Sequence, residues 1–364
     1  MQAAAFPTAP THQTEAAPLI AALKQSNLQS WATSLANYYN RYYTSTTYGV
    51  PAATWLFNTV VAQAASNPLI TVEQVTHSGF PQKSVVAKIP GSSGTGIVIV
   101  SAHFDSIGST TSGRAPGADD NASGVVVVLE ALRVLAAAKY KPKNSLEFHF
   151  YAAEEGGLLG SRAIMNSYAA AGKNVLAVVN QDMTGYSPNN VIAVYTDFVD
   201  AALTAFVKKL VPVYTQLPLV TDVCGYACSD HGSARAAGYP AAYVCDDNMQ
   251  DSSPYLHSAS DTLSTLSYPH ILQHAKVSAM GVAEGRGGLL TVRSSRLGSW
   301  WRERTSRERI SGEIWWDVHR RMERGEGWRG MLYELQRYQH KSRFSITCNR
   351  FVVNAWKCES TSAK

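Results

Sequence analysis

The sequence is poor in charged residues and has no long apolar run. Only 16% of its 364 residues are Asp, Glu, Lys or Arg, and 45% are hydrophobic, which is typical of a globular protein rather than of a disordered or coiled-coil one. No apolar stretch reaches the roughly 18 residues that a membrane-spanning helix requires. The opening stretch, "MQAAAFPTAPTHQ", has neither a basic segment nor a long apolar one, and we therefore expect no signal peptide in it.

The sequence also lacks the short motifs of several enzyme classes. It contains no GxxxxGKS or GxxxxGKT phosphate-binding loop, no GxGxxG after a predicted strand, no GxSxG and no HExxH. These absences argue against P-loop nucleotidases, dinucleotide-dependent oxidoreductases, α/β serine hydrolases and HExxH metalloproteases. The glycine-rich stretch "GSSGTG" at 91–96 precedes a predicted strand and indicates a turn.

Cysteine is scarce, with five in the whole chain. Cys224 and Cys228 form a C-x3-C spacing in "VCGYACSD", and no second cysteine pair lies nearby to complete a cysteine-based zinc site. A local disulfide is therefore favoured, and it would place the protein in an oxidising compartment.

Charge and tryptophan are distributed unevenly along the chain. Residues 1–284 hold 15 Lys and Arg against 19 Asp and Glu, whereas residues 285–364 hold 17 against 8 and six of the eight tryptophans. We predict a catalytic domain over 1–284 and an atypical basic, Trp- and Arg-rich tail over 285–364 that lies outside the catalytic fold and contributes no site residue. A nucleic-acid or membrane partner would depend on this tail alone, and we expect neither.

The hydrophobic pattern of residues 1–284 is that of an α/β domain. Residues 14–64 have apolar side chains at helical spacing. Beyond Pro68, seven short β-branched runs, such as "TGIVIVSAHFD" and "SLEFHFYAAEE", alternate with helical candidates of about 10–18 residues. This alternation predicts a mostly parallel sheet with helices on both faces.

Acidic and imidazole side chains follow several of the predicted strands. The carboxyl ends of parallel strands meet at one edge of a sheet, so we expect these groups to converge there. Clustered carboxylates repel one another unless a cation compensates them, and histidine with carboxylate oxygens suits zinc. The number of groups fits two metals that share a bridging carboxylate. Each feature taken alone also has a simpler interpretation: Asp120 or Asn121 could cap a helix, and the paired glutamates could lie in a solvated turn. The groups are His103, Asp105, Asp119, Asp120, Glu154, Glu155, Asp182 and His257.

These motifs in order, "AHFDS…APGADDNASG…AAEEGGLLGS…NQDMTG…CGYACSDHGS…HSASDT", closely resemble those of the secreted leucyl aminopeptidases of fungi and bacteria, which are two-zinc exopeptidases. The resemblance runs from about residue 6 to residue 284. It implies a three-layer α/β/α sandwich around a mixed, mostly parallel eight-stranded sheet.

The resemblance also implies roles for individual residues. Asp120 would bridge two zinc ions, with His103 and Asp182 completing one site and Glu155 and His257 the other. The catalytic residues would be Glu154, as general base, and Asp105, which would orient His103. The substrate-binding residues would be Tyr226, near the substrate carbonyl, and an apolar pocket formed by Met183, Cys224, Cys228, Tyr243 and Leu256. In the resembled family a cis peptide follows the bridging aspartate, here Asp120-Asn121.

The implied function is that of an extracellular zinc hydrolase, expected to be a monomer, that releases leucine-like N-terminal residues from peptides by attack of zinc-activated water. Relatives of this kind are made as precursors with a signal and a propeptide, which we do not expect in the printed sequence. Two alternatives are a single-zinc glutaminyl cyclase of the same fold and an inactive binding homologue. The complete set of ligand and base residues argues against both.

Overall fold

The structure is a computed structural model that describes residues 6–284 and two strands at 344–351 and 355–362. The chain divides into two compact units, Met1–Val292 and Arg293–Lys364. Among the described residues, no helix combines the length and the apolar character needed to cross a membrane.

Helices and strands alternate through most of the first unit, as the hydrophobic pattern predicts. Three helices precede the first strand, and a wide helical turn at Ala118–Ser123 leads into the fourth helix. The helices are α1 Gln13–Ala21, α2 Gln25–Ala36, α3 Gly49–Ala64, α4 Gly124–Ala137, α5 Leu159–Ala170, α6 Ala201–Tyr214, α7 His231–Ala236 and α8 Tyr268–Glu284.

Eight strands of the first unit form one mixed sheet in the order β1-β2-β4-β3-β5-β8-β6-β7. The four central strands, β4, β3, β5 and β8, run parallel, and the antiparallel pairs are β1 with β2, β2 with β4, and β6 with β8. The strands are β1 Thr71–Val75, β2 Ser84–Ile89, β3 Ile97–His103, β4 Ser145–Tyr151, β5 Val175–Gln181, β6 Ile192–Tyr195, β7 Leu219–Asp222 and β8 Ala241–Cys245.

Both faces of the sheet are covered, which makes the predicted three-layer α/β/α fold correct. Successive side chains of a strand point to opposite faces. Along β3, Val98 and Val100 belong to the larger core, which includes residues of α3, α4, α6 and α8. Ile97 and Ile99 belong to the smaller core, which includes residues of α5 and α7.

Helix α4 shows that tertiary burial overrides local propensity in this domain. Its sequence begins GVVVV, and β-branched residues are weak helix formers because their χ1 freedom is restricted. The run from Val125 to Leu129 is nevertheless fully buried. A helical segment that is apolar on every side is stable when neighbours cover it, as the sheet and the adjacent helices cover this first part of α4.

The second unit contains an antiparallel pair of strands, β9 Phe344–Phe351 and β10 Ala355–Ser362. The composition of the tail gave no indication of this pairing. The other residues of the tail from 285 onward, including most of its tryptophans, lie outside the described residues. The prediction that the tail stands apart from the catalytic fold and contributes no site residue therefore stays a prediction.

Candidate metal centre

Three neighbouring parallel strands deliver the predicted ligands to one edge of the sheet. His103 is the last residue of β3, Asp182 follows the end of β5, and Glu154 and Glu155 lie in the turn after β4. Because β4, β3 and β5 are adjacent and parallel, their carboxyl ends lie side by side. His257 comes from the loop after β8, the next strand of the sheet.

The first group of ligand atoms surrounds the His103 ring. Its Nε2 atom lies 3.1 Å from Asp120 Oδ1 and 3.2 Å from Asp182 Oδ1. Its Nδ1 atom faces Asp105 Oδ1 at 3.5 Å, and the ring and Asp105 are almost completely buried. A proton on Nδ1, the atom that faces Asp105, would leave the Nε2 lone pair directed at the two carboxylates, which is the tautomer that a metal requires.

The second group surrounds the His257 ring and shares Asp120 with the first. His257 Nε2 lies 3.1 Å from Asp120 Oδ2 and 3.1 Å from Glu155 Oε2. Asp120 thus directs Oδ1 at one histidine and Oδ2 at the other. Within each group, one potential ligand atom from each residue lies within 4.8 Å of the others.

Two further aspartates fix the backbone beneath these ligands. Asp105 accepts hydrogen bonds from the consecutive N–H groups of Glu154 and Glu155, at 3.0 and 3.1 Å. Asp261 accepts from the N–H groups of Asp119 and Asp120, at 2.9 and 3.0 Å. Carboxylate bonds to backbone N–H groups are charge-assisted and are among the stronger hydrogen bonds in proteins. The peptide that follows Asp120 is cis, as the resemblance implies.

Asp182 is held by a buried polar chain that the sequence motifs do not reveal. Ser229 donates a hydrogen bond to Asp182 Oδ2 at 2.5 Å and accepts one from Asn180 Nδ2 at 2.8 Å. Asn180 Oδ1 in turn accepts from Ser101 at 2.8 Å. This arrangement occupies Oδ2 and leaves Oδ1 facing His103. Ser229 lies next to Cys228 in a motif of the resembled family, but its partner is 47 residues away and only the fold brings the two together.

The pKa values of the acidic groups reflect their crowding. Burial raises the pKa of Glu155 to about 7, and the negative charge of Asp120 adds to this shift. Burial also raises the pKa of Glu154 well above its usual range, against the opposing effect of His103. For Asp120 burial acts in the same direction, but hydrogen bonds from His103 and His257 outweigh it and hold its pKa below the usual range. The cluster therefore retains protons unless another cation compensates its charge.

The donor set fits divalent metal ions. Each group supplies one imidazole nitrogen and carboxylate oxygens, which are established zinc ligands. Glu155 Oε1 is buried and has no hydrogen-bond partner among the described residues, so a buried carboxylate oxygen of this kind needs a donor or a cation from outside the chain, which a metal ion would supply.

An apolar cluster adjoins Asp182 and includes four of the six predicted substrate-binding residues. Met183 and Tyr243 are buried in it, and Cys224 and Cys228 pack against it. The Tyr243 hydroxyl donates to the Asp182 carbonyl at 3.4 Å. Cys245 is a buried free thiol in the same cluster.

The remaining predicted contacts lie at the surface. Tyr226 is 60% exposed and Leu256 is 39% exposed, and neither belongs to the buried cluster. Cys224 and Cys228 are joined by the predicted disulfide, with 6.2 Å between their Cα atoms, so the short loop that carries Tyr226 is closed covalently.

Comparison with known proteins identifies the family of this chain. The model of peptidase family M28 matches residues 84–282, which span β2 to α8 and include every predicted ligand. The chain belongs to peptidase family M28. Leucine aminopeptidase 1 of Ajellomyces dermatitidis is 43% identical over 296 residues, covering 77% of this chain and 76% of that protein.

Solved structures place this M28 chain in the same fold. The LapA aminopeptidase of Legionella pneumophila superimposes with a TM-score of 0.72 at 31% identity, covering 76% of this chain and 75% of that one. A glutaminyl cyclase of Porphyromonas gingivalis superimposes with a TM-score of 0.60 at 17% identity, covering 72% of this chain and 98% of that one. At that identity the likeness shows a shared fold alone.

Proposed function

We propose that this M28 chain is a zinc-dependent leucyl aminopeptidase with a two-metal centre. The activity follows from membership of the family and from the similarity to leucine aminopeptidase 1. The observation that supports two metal sites is the orientation of the Asp120 carboxylate, which directs one oxygen at His103 and the other at His257.

The two ligand groups define which residues would hold each ion. His103, Asp120 and Asp182 would hold one zinc, and Asp120, Glu155 and His257 would hold the other. When bound, such ions polarise the peptide carbonyl and acidify water, which makes hydrolysis possible near neutral pH.

Glu154 is suited to move the proton in this reaction. Its neighbour Glu155 is assigned to a metal, whereas the Glu154 side chain belongs to neither ligand group. Burial raises its pKa well above the usual range for a carboxyl, so the ionised group is a stronger base than a solvent-exposed glutamate. Glu154 takes the proton from the attacking water and returns it to the departing amine nitrogen. Its backbone N–H is fixed by Asp105, so the side chain starts from a defined position.

The apolar cluster beside Asp182 supports a preference for leucine-like N-terminal residues. Met183 and Tyr243 form a buried apolar surface next to Asp182. The exposed Tyr226 lies on the loop that the Cys224–Cys228 disulfide closes, and from there its hydroxyl would hydrogen-bond near the substrate carbonyl. Leu256 precedes His257 and would border the same pocket. The disulfide supports an extracellular location, since such bonds rarely persist in a reducing cytosol. We expect the enzyme to act as a monomer on free peptides.

The test is hydrolysis of leucine-p-nitroanilide by the purified protein. We expect turnover that a chelator abolishes and added zinc restores, and no turnover of N-acetyl-leucine-p-nitroanilide, because an exopeptidase requires a free α-amine. Release of p-nitroaniline that is insensitive to chelation would contradict a metal-dependent reaction. Cyclisation of an N-terminal glutaminyl peptide without hydrolysis of the leucine substrate would favour the cyclase instead.

A further inference from the structure

Arg41 is buried directly behind the metal centre. It lies between α2 and α3 and is 0% exposed. It is the only arginine or lysine among the buried side chains of residues 6–281. An isolated buried charge is costly, so a fully buried guanidinium requires partners for its N–H groups. The identity of those partners indicates what Arg41 does.

The guanidinium of Arg41 donates to backbone carbonyls on both loops that carry ligands. Nε donates to Phe104 O at 2.7 Å, and Phe104 lies between His103 and Asp105. Nη2 donates to Gly117 O at 2.9 Å, three residues before Asp120. One side chain therefore ties the end of β3 to the loop of the bridging carboxylate.

Further contacts of Arg41 complete this connection. Nη1 donates to Pro116 O, next to Gly117, and to Leu35 O in α2 at 3.3 Å. The Arg41 backbone N–H donates to Ser106 Oγ at 3.0 Å, and Ser106 donates to Ala115 O at 2.9 Å. The ligand loops are thus fixed to the guanidinium and to the backbone that carries it.

Gly117 shows that the loop is shaped around the guanidinium. Its φ is +52°, and a Cβ atom there would lie 2.7 Å from Arg41 Nη2 and 2.4 Å from Asp120 O. Both distances are too short for a side chain. The close approach of the loop to Arg41 therefore requires glycine at this position.

The positive charge acts on the site without occupying its ligand atoms. No ion pair joins Arg41 to a carboxylate among the described residues. Burial lowers the pKa of Arg41 to about 10, and the charges of Asp261, Asp105 and Asp120 oppose this, so the group is charged at neutral pH. The carboxylate oxygens consequently stay available to metals.

We propose that Arg41 is a positioning residue of the metal centre: its guanidinium sets the spacing between His103 and the bridging Asp120 by holding Phe104, Pro116 and Gly117. This inference rests on the proposed two-metal centre. It requires the planar fork of arginine, because the single nitrogen of a lysine ammonium cannot reproduce the arrangement in which Nε, Nη1 and Nη2 each donate to a different carbonyl.

The test compares Arg41→Lys with Arg133→Lys. Arg133 is a control because its guanidinium also bridges elements, bonding Glu130 and Ala22 O at 2.6 Å, but none of its contacts is to a ligand loop. Metal-free proteins are titrated with zinc in competition with a chromophoric chelator, and thermal unfolding is followed separately. We expect Arg41→Lys to bind zinc roughly 10- to 100-fold more weakly and to lose kcat with little change in KM, whereas Arg133→Lys binds zinc like the wild type.

A milder variant covers the case in which Arg41→Lys does not fold. Ser106→Ala removes the hydroxyl that joins the Arg41 backbone to Ala115, and we expect zinc binding to weaken several-fold with the fold retained. Wild-type zinc affinity in Arg41→Lys, or in Ser106→Ala if the lysine variant is unfolded, would overturn the proposal and leave Arg41 a purely structural residue. If the wild type binds no zinc, the metal centre itself is wrong and this inference fails with it. Two zinc ions bound with the same affinity in the wild type and the variants would overturn the Arg41 role alone.

Discussion

Asp105→Asn tests whether a single buried carboxylate organises two strand ends. Asp105 is fully buried, accepts the N–H groups of Glu154 and Glu155 on separate oxygens, and faces His103 Nδ1 at 3.5 Å. Asparagine has nearly the same shape but only one acceptor oxygen, and its amide nitrogen is a donor. At least one of these N–H groups would therefore face another donor.

The expected losses follow from these contacts. One charge-assisted hydrogen bond to a buried carboxylate contributes about 1.5–3 kcal/mol, so the free energy of unfolding should fall by that amount in the metal-free protein. An amide group also holds the His103 tautomer less well, and removal of such an outer partner usually weakens metal binding roughly 10- to 100-fold. The free energy of unfolding and the zinc affinity should therefore both decrease in Asp105→Asn.

Asp197→Asn is the matched control. Asp197 likewise accepts two consecutive N–H groups, those of Cys224 and Gly225 at 3.0 and 2.6 Å, but it contacts no predicted ligand. Urea unfolding of the metal-free proteins and zinc competition titrations should show lower stability in both variants and weaker zinc binding in Asp105→Asn alone. Equal zinc affinity in the two variants would refute the organising role of Asp105.

Two further predictions concern single glutamates. Glu154→Gln should lower kcat for leucine-p-nitroanilide roughly 100- to 10,000-fold, because it removes proton transfer, while metal analysis still finds the wild-type zinc content; a fully active variant would exclude Glu154 as the base. Glu147 is buried near the start of β4, at the opposite end of the strand from Glu154 and Glu155. Burial opposes its ionised form there, but hydrogen bonds from His149 and Tyr168 outweigh this and lower its pKa from 4.5 to about 2. Ionised Glu147 therefore stabilises the fold above pH 4.5 by about 3 kcal/mol, and this is lost as the pH falls from 4.5 towards 2. Urea unfolding of Glu147→Gln should lack this acid-dependent decrease, and an unchanged pH profile would contradict the assignment.

The convergence of His103, Glu155 and Asp182 could be predicted from the sequence because each lies at or just after the end of a predicted strand. Alternating strands and helices imply parallel strands, and parallel strands bring their carboxyl ends together, so no long-range information was needed for His103, Glu155 or Asp182. The roles expected of Asp120 and His257 came from the resemblance to leucyl aminopeptidases. The edge strand β7 escaped prediction because it has four residues and is only partly buried, so it has little hydrophobic pattern.

The supporting contacts could not be predicted in this way because tertiary packing creates them. Asp261 lies 142 residues from the N–H group of Asp119 that it accepts, and nothing local to either residue indicates the bond. Tertiary contacts also explain the break between α1 and α2. The helical spacing of apolar residues over 14–64 marks no boundary at this point, but Glu130 of α4 accepts the N–H of Lys24 at 2.6 Å, and Arg133 donates to Ala22 O at 2.6 Å.

The measurement that tests the two-metal centre most directly is the recovery of activity as zinc is added to metal-free enzyme. Zinc content and leucine-p-nitroanilide hydrolysis should be followed in the same titration, with Asp120→Asn in parallel. We predict that the wild type binds two zinc ions per chain, and that Asp120→Asn, which loses the shared carboxylate, is impaired at both sites. Saturation of wild-type binding and activity at one zinc per chain would contradict the account.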